Sequence, residues 1–101
     1  MTNRCHMLVR SAFPLGDVVL TCGVAALVEA AQVDPLALLA RHAACDWGDL
    51  CEEDKAQNNT ALLPAQAGRL MSSYEINRQV KIWIITEWDR SVTTLLLPIE
   101  Y

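Results

Sequence analysis

Few of the features that announce a function are present in this chain. None of its four cysteines, Cys5, Cys22, Cys45 and Cys51, forms a Cys-x-x-Cys pair, which argues against a zinc ribbon or a thioredoxin-like motif. No basic excess marks it as a nucleic-acid binder: eight Lys and Arg stand against twelve Asp and Glu, a formal net charge of −4. Arg69 and the Arg78/Lys81 pair are the nearest thing to a basic patch. The most apolar run, residues 18–28, is too short for a membrane span, and Asp17 abuts it while Gly23 interrupts it. Cys22 follows Val-Leu-Thr in the manner of a lipoprotein cleavage box, but the apolar segment before it falls short of the roughly 7–15 residues an export signal needs. A cytoplasmic protein with buried or half-buried free thiols is the expectation. There are no internal repeats, no low-complexity tracts and no helix-turn-helix signal.

What is present is a globular composition. Hydrophobic residues make up 52% of 101 residues and charged residues 20%, enough for one domain with a core. The C-terminal third carries the clearest pattern. Residues 80–86 are rich in β-branched and aromatic side chains. Strand alternation places Val80, Ile82, Ile84 and Thr86 on a core face, and Lys81, Trp83, Ile85 and Glu87 on an amphipathic one. Trp88-Asp89-Arg90-Ser91 reads as a turn, residues 92–97 as the return strand, and Pro98 as its stop. Upstream, residues 69–75 alternate as a further strand and Asn77-Arg78-Gln79 makes the turn between.

Earlier segments read as mostly helical. Residues 1–12 are expected to be a loose start or an edge strand, Phe13-Pro14-Leu15-Gly16 a turn, and residues 17–20 a short strand. Thr21 is placed to cap a helix over residues 23–32, with Val24, Leu27, Val28 and Ala31 on one stripe. Asp34 with Pro35 opens a second helix over residues 35–44, making an αα-hairpin. Gly48 breaks the chain after it. Asp49 and Glu52 have capping-box spacing ahead of a polar helix over residues 52–63. The predicted architecture is a single α+β domain over residues 1–101: an N-terminal strand and helical segments packed on a C-terminal three-stranded antiparallel meander.

Two long motifs carry a resemblance. The first is Arg41-His42-Ala43-Ala44-Cys45-Asp46-Trp47-Gly48-Asp49-Leu50, followed by Glu53, Asp54, Asn58 and the segment from Gly68 to Tyr74. The second runs from Lys81-Ile82-Trp83-Ile84-Ile85-Thr86-Glu87 through Asp89-Arg90-Ser91-Val92-Thr93-Thr94 to Pro98, Glu100 and Tyr101. Together they resemble a family of small bacterial proteins met on plasmids and integrative conjugative elements. The likeness runs from about Gly16 to the end, and the family brings a setting but no agreed activity. Cys22 stands where proline is more usual in it, and Trp88 where a small residue is.

Three constellations compete for function. Trp88, Asp89, Arg90 and Trp83 form the binding candidate, because tryptophan concentrates at interface hot spots and Asp89 and Arg90 would supply a polar rim. His42, Arg69, Tyr74, Lys81 and Glu87 would serve an enzyme of the compact ribonuclease or toxin type: His42 or Glu87 as base, Arg69 or Lys81 as the cation facing developing phosphorane charge. The plainer expectation pairs Lys81 or Arg69 with Glu87 or Glu75 across strands, and His42 with a helix-end carbonyl or Asp46. Asp46 and Asp49, with the acids that follow, are weak candidates for a hard cation, in a spacing that matches no EF-hand. No cofactor is expected. In the setting the resemblance implies, the leading expectation is a protein that binds another protein and counters or modulates a host defence, as anti-restriction and anti-CRISPR proteins do. The alternatives are a small nuclease, or a maintenance or regulatory factor that dimerises through a sheet edge.

Overall fold

A computed structural model describes residues 11–101 of the chain. The expected loose start or edge strand over residues 1–12 falls almost wholly outside them. The elements run β1 (Asp17–Leu20), α1 (Cys22–Glu29), α2 (Pro35–Ala43), α3 (Glu52–Ala61), β2 (Leu70–Glu75), β3 (Lys81–Thr86) and β4 (Val92–Leu96), with 3-10 turns at Pro64–Gln66 and Pro98–Glu100. The fold is α+β. The meander β2-β3-β4 is antiparallel as the sequence predicts. The N-terminal strand does not pack on it, however. It joins the sheet beside β4 in parallel, Asp17 aligned with Val92 and Leu20 with Leu95, giving the mixed order β1-β4-β3-β2.

Alternation along the strands divides the sheet as expected. Leu70, Ser72, Tyr74, Ile82, Ile84, Thr86, Thr93 and Leu95 point to the helix side and are buried. One cluster there joins Val24 of α1, Val33, and Leu38 and Leu39 of α2 to Tyr74, Ile82, Ile84 and Leu95. A second joins Phe13, Trp47, Ala61 and Leu70. Trp47 is a core anchor: its indole N–H donates to Asn59 Oδ1 at 3.1 Å and its ring stacks on Phe13.

Local signals account for the helix ends, with corrections. Thr21 Oγ1 accepts from the Val24 N–H, and Asp34 Oδ1 from the Leu36 and Ala37 N–H groups, so both N-caps are where the sequence puts them. The first helix, expected to reach Gln32, ends at Glu29. Ala31 turns left-handed (φ 58°), and Gln32 and Ala31 N–H groups bond back to Leu27 and Val28 carbonyls in a Schellman motif. Cys45 (φ 63°) ends α2 the same way, through Asp46 N–H to Arg41 C=O and Cys45 N–H to His42 C=O. The capping box expected at Asp49 does not form. The N-cap of α3 is Cys51, and the Asp49 carboxylate instead takes the Glu75 N–H at 2.7 Å. Cys22, Cys45 and Cys51 are free thiols; contrary to the expectation of burial, Cys22 and Cys51 are exposed. No helix among the described residues is long and apolar enough to cross a membrane.

Candidate functional site

The β3–β4 turn, residues 87–91, holds three of the four binding candidates, and each has a different role. Trp88 is 65% exposed. Asp89 is exposed and bonds within the turn: its Oδ1 accepts from the Ser91 N–H at 3.0 Å and the Ser91 hydroxyl at 2.6 Å, and these bonds hold its carboxyl below the usual range. Arg90 sits in the left-handed region at φ 61°, a conformation a side chain adopts at a cost unless its surroundings demand it. Here they do. Its guanidinium donates to the carbonyls of Gly68 (2.6 Å), Ala61 (2.9 Å), Glu87 (3.1 Å) and Trp88 (3.4 Å), tying the turn to the end of α3 and the entry to β2. Gly16 completes the brace. At φ +64°, with Ser91 O only 2.2 Å from where a Cβ would lie, it lets the chain entering β1 pass against the turn backbone to backbone. Asp89, which stays exposed beside Trp88, and Arg90 thus hold the turn that presents the indole.

Trp83 is the fourth candidate and is covered by the chain itself. The C-terminal turn folds over the far face of the sheet, where Tyr101 meets the Trp83 ring edge-on with centroids 5.7 Å apart. Arg69 donates to the Tyr101 hydroxyl and lies 5.3 Å from its ring centroid. Glu100 anchors the same turn to the start of α1: its carboxylate accepts from Thr21 Oγ1 (2.5 Å), Gly23 N–H (3.0 Å) and Leu97 N–H (2.9 Å), with its pKa lowered chiefly by the Thr21 bond.

The residues of the enzyme reading do not converge on one site. Arg69, Lys81 and Glu87 are exposed on or beside the far face, whereas His42 and Tyr74 are buried on the helix side. Lys81 stands opposite Glu75 in the β2–β3 register. The Tyr74 hydroxyl donates to Asp46 C=O at 2.6 Å, its ring lies under the Arg41 guanidinium, and burial pushes its pKa up to about 12.

His42 has no accessible surface and pairs with neither a helix-end carbonyl nor Asp46. Its Nδ1 is 2.5 Å from Ser72 Oγ and its Nε2 is 2.9 Å from Thr86 Oγ1; Thr86 Oγ1 is 2.7 Å from Thr93 Oγ1, whose hydroxyl donates to Leu15 C=O. The hydrogens follow in order. A carbonyl only accepts, so the Thr93 proton goes to Leu15, the Thr86 proton to Thr93, the His42 Nε2 proton to Thr86, and Ser72 donates to the bare Nδ1. One neutral tautomer thus satisfies every group. Phe13 and Trp47 close the ring in from the side at 5.3 and 5.7 Å, and burial lowers its pKa to about 4. This is a sealed polar seam between the two apolar clusters, with no route for a substrate.

The acidic candidates are engaged too. Asp46 pairs with Arg41 at 2.7 Å and accepts from the Gly48 N–H, and these contacts lower its pKa. Asp49 holds the edge of β2 through Glu75. Among the described residues, no three His, Cys, Asp or Glu side chains are grouped as metal ligands would be. Two shallow hollows flank α3. One of about 290 Å³ lies between α3 and β2, and a more open one of about 510 Å³ shares Gln57 and Arg69 with it. Neither contains a His or Cys, and the cation they share, Arg69, already bonds Tyr101. Compared with known proteins, the chain matches no protein-family model, no curated protein and no solved structure.

Proposed function

We propose that this chain acts in the cytoplasm by binding another protein, with the indole of Trp88 as the central contact. The observation that carries the reading is an exposed tryptophan on a braced turn. A large aromatic side chain left mostly in water offers that exposed area to a partner. The turn beneath it is fixed by the Arg90 and Asp89 hydrogen bonds and by the close approach of Gly16, so docking has little loop entropy to overcome. In the mobile-element setting that the sequence resemblance implies, the partner is a component of a host defence system, which the chain would occlude.

The test is capture of partners from a native-host extract by the tagged full chain, with wild type and Trp88→Ala in parallel. A stoichiometric protein retained by wild type and lost by the variant is the expected result. Capture of the same proteins by both overturns the assignment to Trp88.

A further inference from the structure

The two edges of the sheet are treated differently. Along the outer side of β2, the Asn58 side-chain amide bonds both the Met71 N–H (3.1 Å) and C=O (2.7 Å). Ser73 N–H donates to Trp47 C=O, Ser73 C=O accepts from Asp49 N–H, and Glu75 N–H meets the Asp49 carboxylate. That edge is closed. On β1, the Asp17 and Thr21 N–H groups donate to Ser91 and Leu95 carbonyls at 3.0 Å each, so Val18 and Leu20 direct their backbone groups away from β4. Among the described residues nothing pairs with them. Val18 is 45% and Val19 44% exposed, on an edge with no lysine, proline or bulge to blunt it.

We propose that β1 pairs antiparallel with β1 of a second copy, across a two-fold axis through Val19, to make one continuous sheet. The strand is self-complementary in that register. Val18 and the second copy's Leu20 exchange backbone hydrogen bonds, and Val19 faces Val19. Asp17 faces the second copy's Thr21, and the two Asp17 carboxylates stand about 13 Å apart along the strands, beyond the screening length of roughly 8–10 Å. From Leu15 to Val33 the only charged residues are Asp17 and Glu29; Glu100, held at Thr21 and Gly23, adds a carboxylate at that end of the strand. A short strand pair alone falls below the roughly 1,000 Å² a stable interface needs. The rest comes from α1, which lies on the helix side of the sheet near β1 and β4 and meets its counterpart across the axis. This helix has no polar face: Val24 is buried, Leu27 and Val28 are half-buried, and Ala25 and Ala26 are exposed.

The test contains no host partner, so the two readings fail separately. Sedimentation velocity and light scattering on the full chain are expected to show a wild-type dimer, monomeric Val19→Lys and monomeric Val19→Glu with unchanged circular dichroism, and a dimer restored when the two variants are mixed. Amide exchange at Val18 and Leu20 is expected to be slow in the dimer and fast in either variant alone. A monomeric wild type overturns the proposal. If its Val18 and Leu20 amides are nonetheless protected, a segment of the chain itself occupies the edge. A dimer that survives Val19→Lys, or variants that fail to pair when mixed, overturn it equally.

Discussion

His42 shows how a titratable side chain is turned into a structural one. Buried and neutral, it holds its proton affinity down, with a pKa of about 4 against an ordinary 6.5. The unfolded chain therefore takes up a proton at pH values where the native one does not. Stability from this residue is full above pH 6.5 and falls as the pH drops from there to about 4, by about 3 kcal/mol in all. Denaturant titrations across that window are expected to show the slope in wild type. His42→Ala should remove this contribution and cost about 3 kcal/mol at neutral pH, because the Ser72 and Thr86 hydroxyls lose their partner. Trp88→Ala should do the opposite: leave the midpoint within about 0.5 kcal/mol, since the side chain is exposed, while removing partner binding. The sequence could not separate these two cases. His42 reads as a candidate base, or as bonded to a helix-end carbonyl or Asp46, because its actual partners lie 30 and 44 residues away in the chain. Arg90 reads as a surface cation because the carbonyls it holds at Ala61 and Gly68 belong to other elements.

Elements that depend on local chemistry were legible, and those that depend on distant partners were not. Asp34 and Pro35 announce α2, and the alternation in β3 announces its buried face correctly. The apolar stripe of α1 continues through Ala31, yet the helix stops because the chain must turn back toward the Asp34 cap. Ala31 takes the left-handed conformation that favours glycine, so Ala31→Gly is expected to raise stability by about 0.5–1 kcal/mol, read as a higher denaturation midpoint. Asp49 has the spacing of an α3 cap but instead closes the β2 edge, and Asn58, in a mostly polar helix, is buried against the same edge. Asn58→Asp would set a carboxylate against the Met71 carbonyl where an N–H now donates. The expected outcome is a loss of about 2 kcal/mol and, from the opened edge, concentration-dependent aggregation in light scattering.

At the scale of the whole molecule, the meander was readable because its strands are neighbours in sequence, joined by turns with clear residue signals. The parallel pairing of β1 with β4 was not, since Asp17 and Val92 lie at opposite ends of the chain and a four-residue strand carries too little pattern to name its partner. That pairing defines the molecule's surfaces. It leaves β1 as the open edge proposed to join a second copy, and it sets the Gly16 backbone against the turn that carries Trp88. The central claim is that this turn is a preorganised docking site, and titration of the captured partner against wild type and Trp88→Ala by calorimetry tests it most directly. The account predicts unchanged folding and at least about a thirtyfold weaker dissociation constant for the variant, the size of a hot-spot residue. An unchanged dissociation constant would contradict it and place the function on another surface.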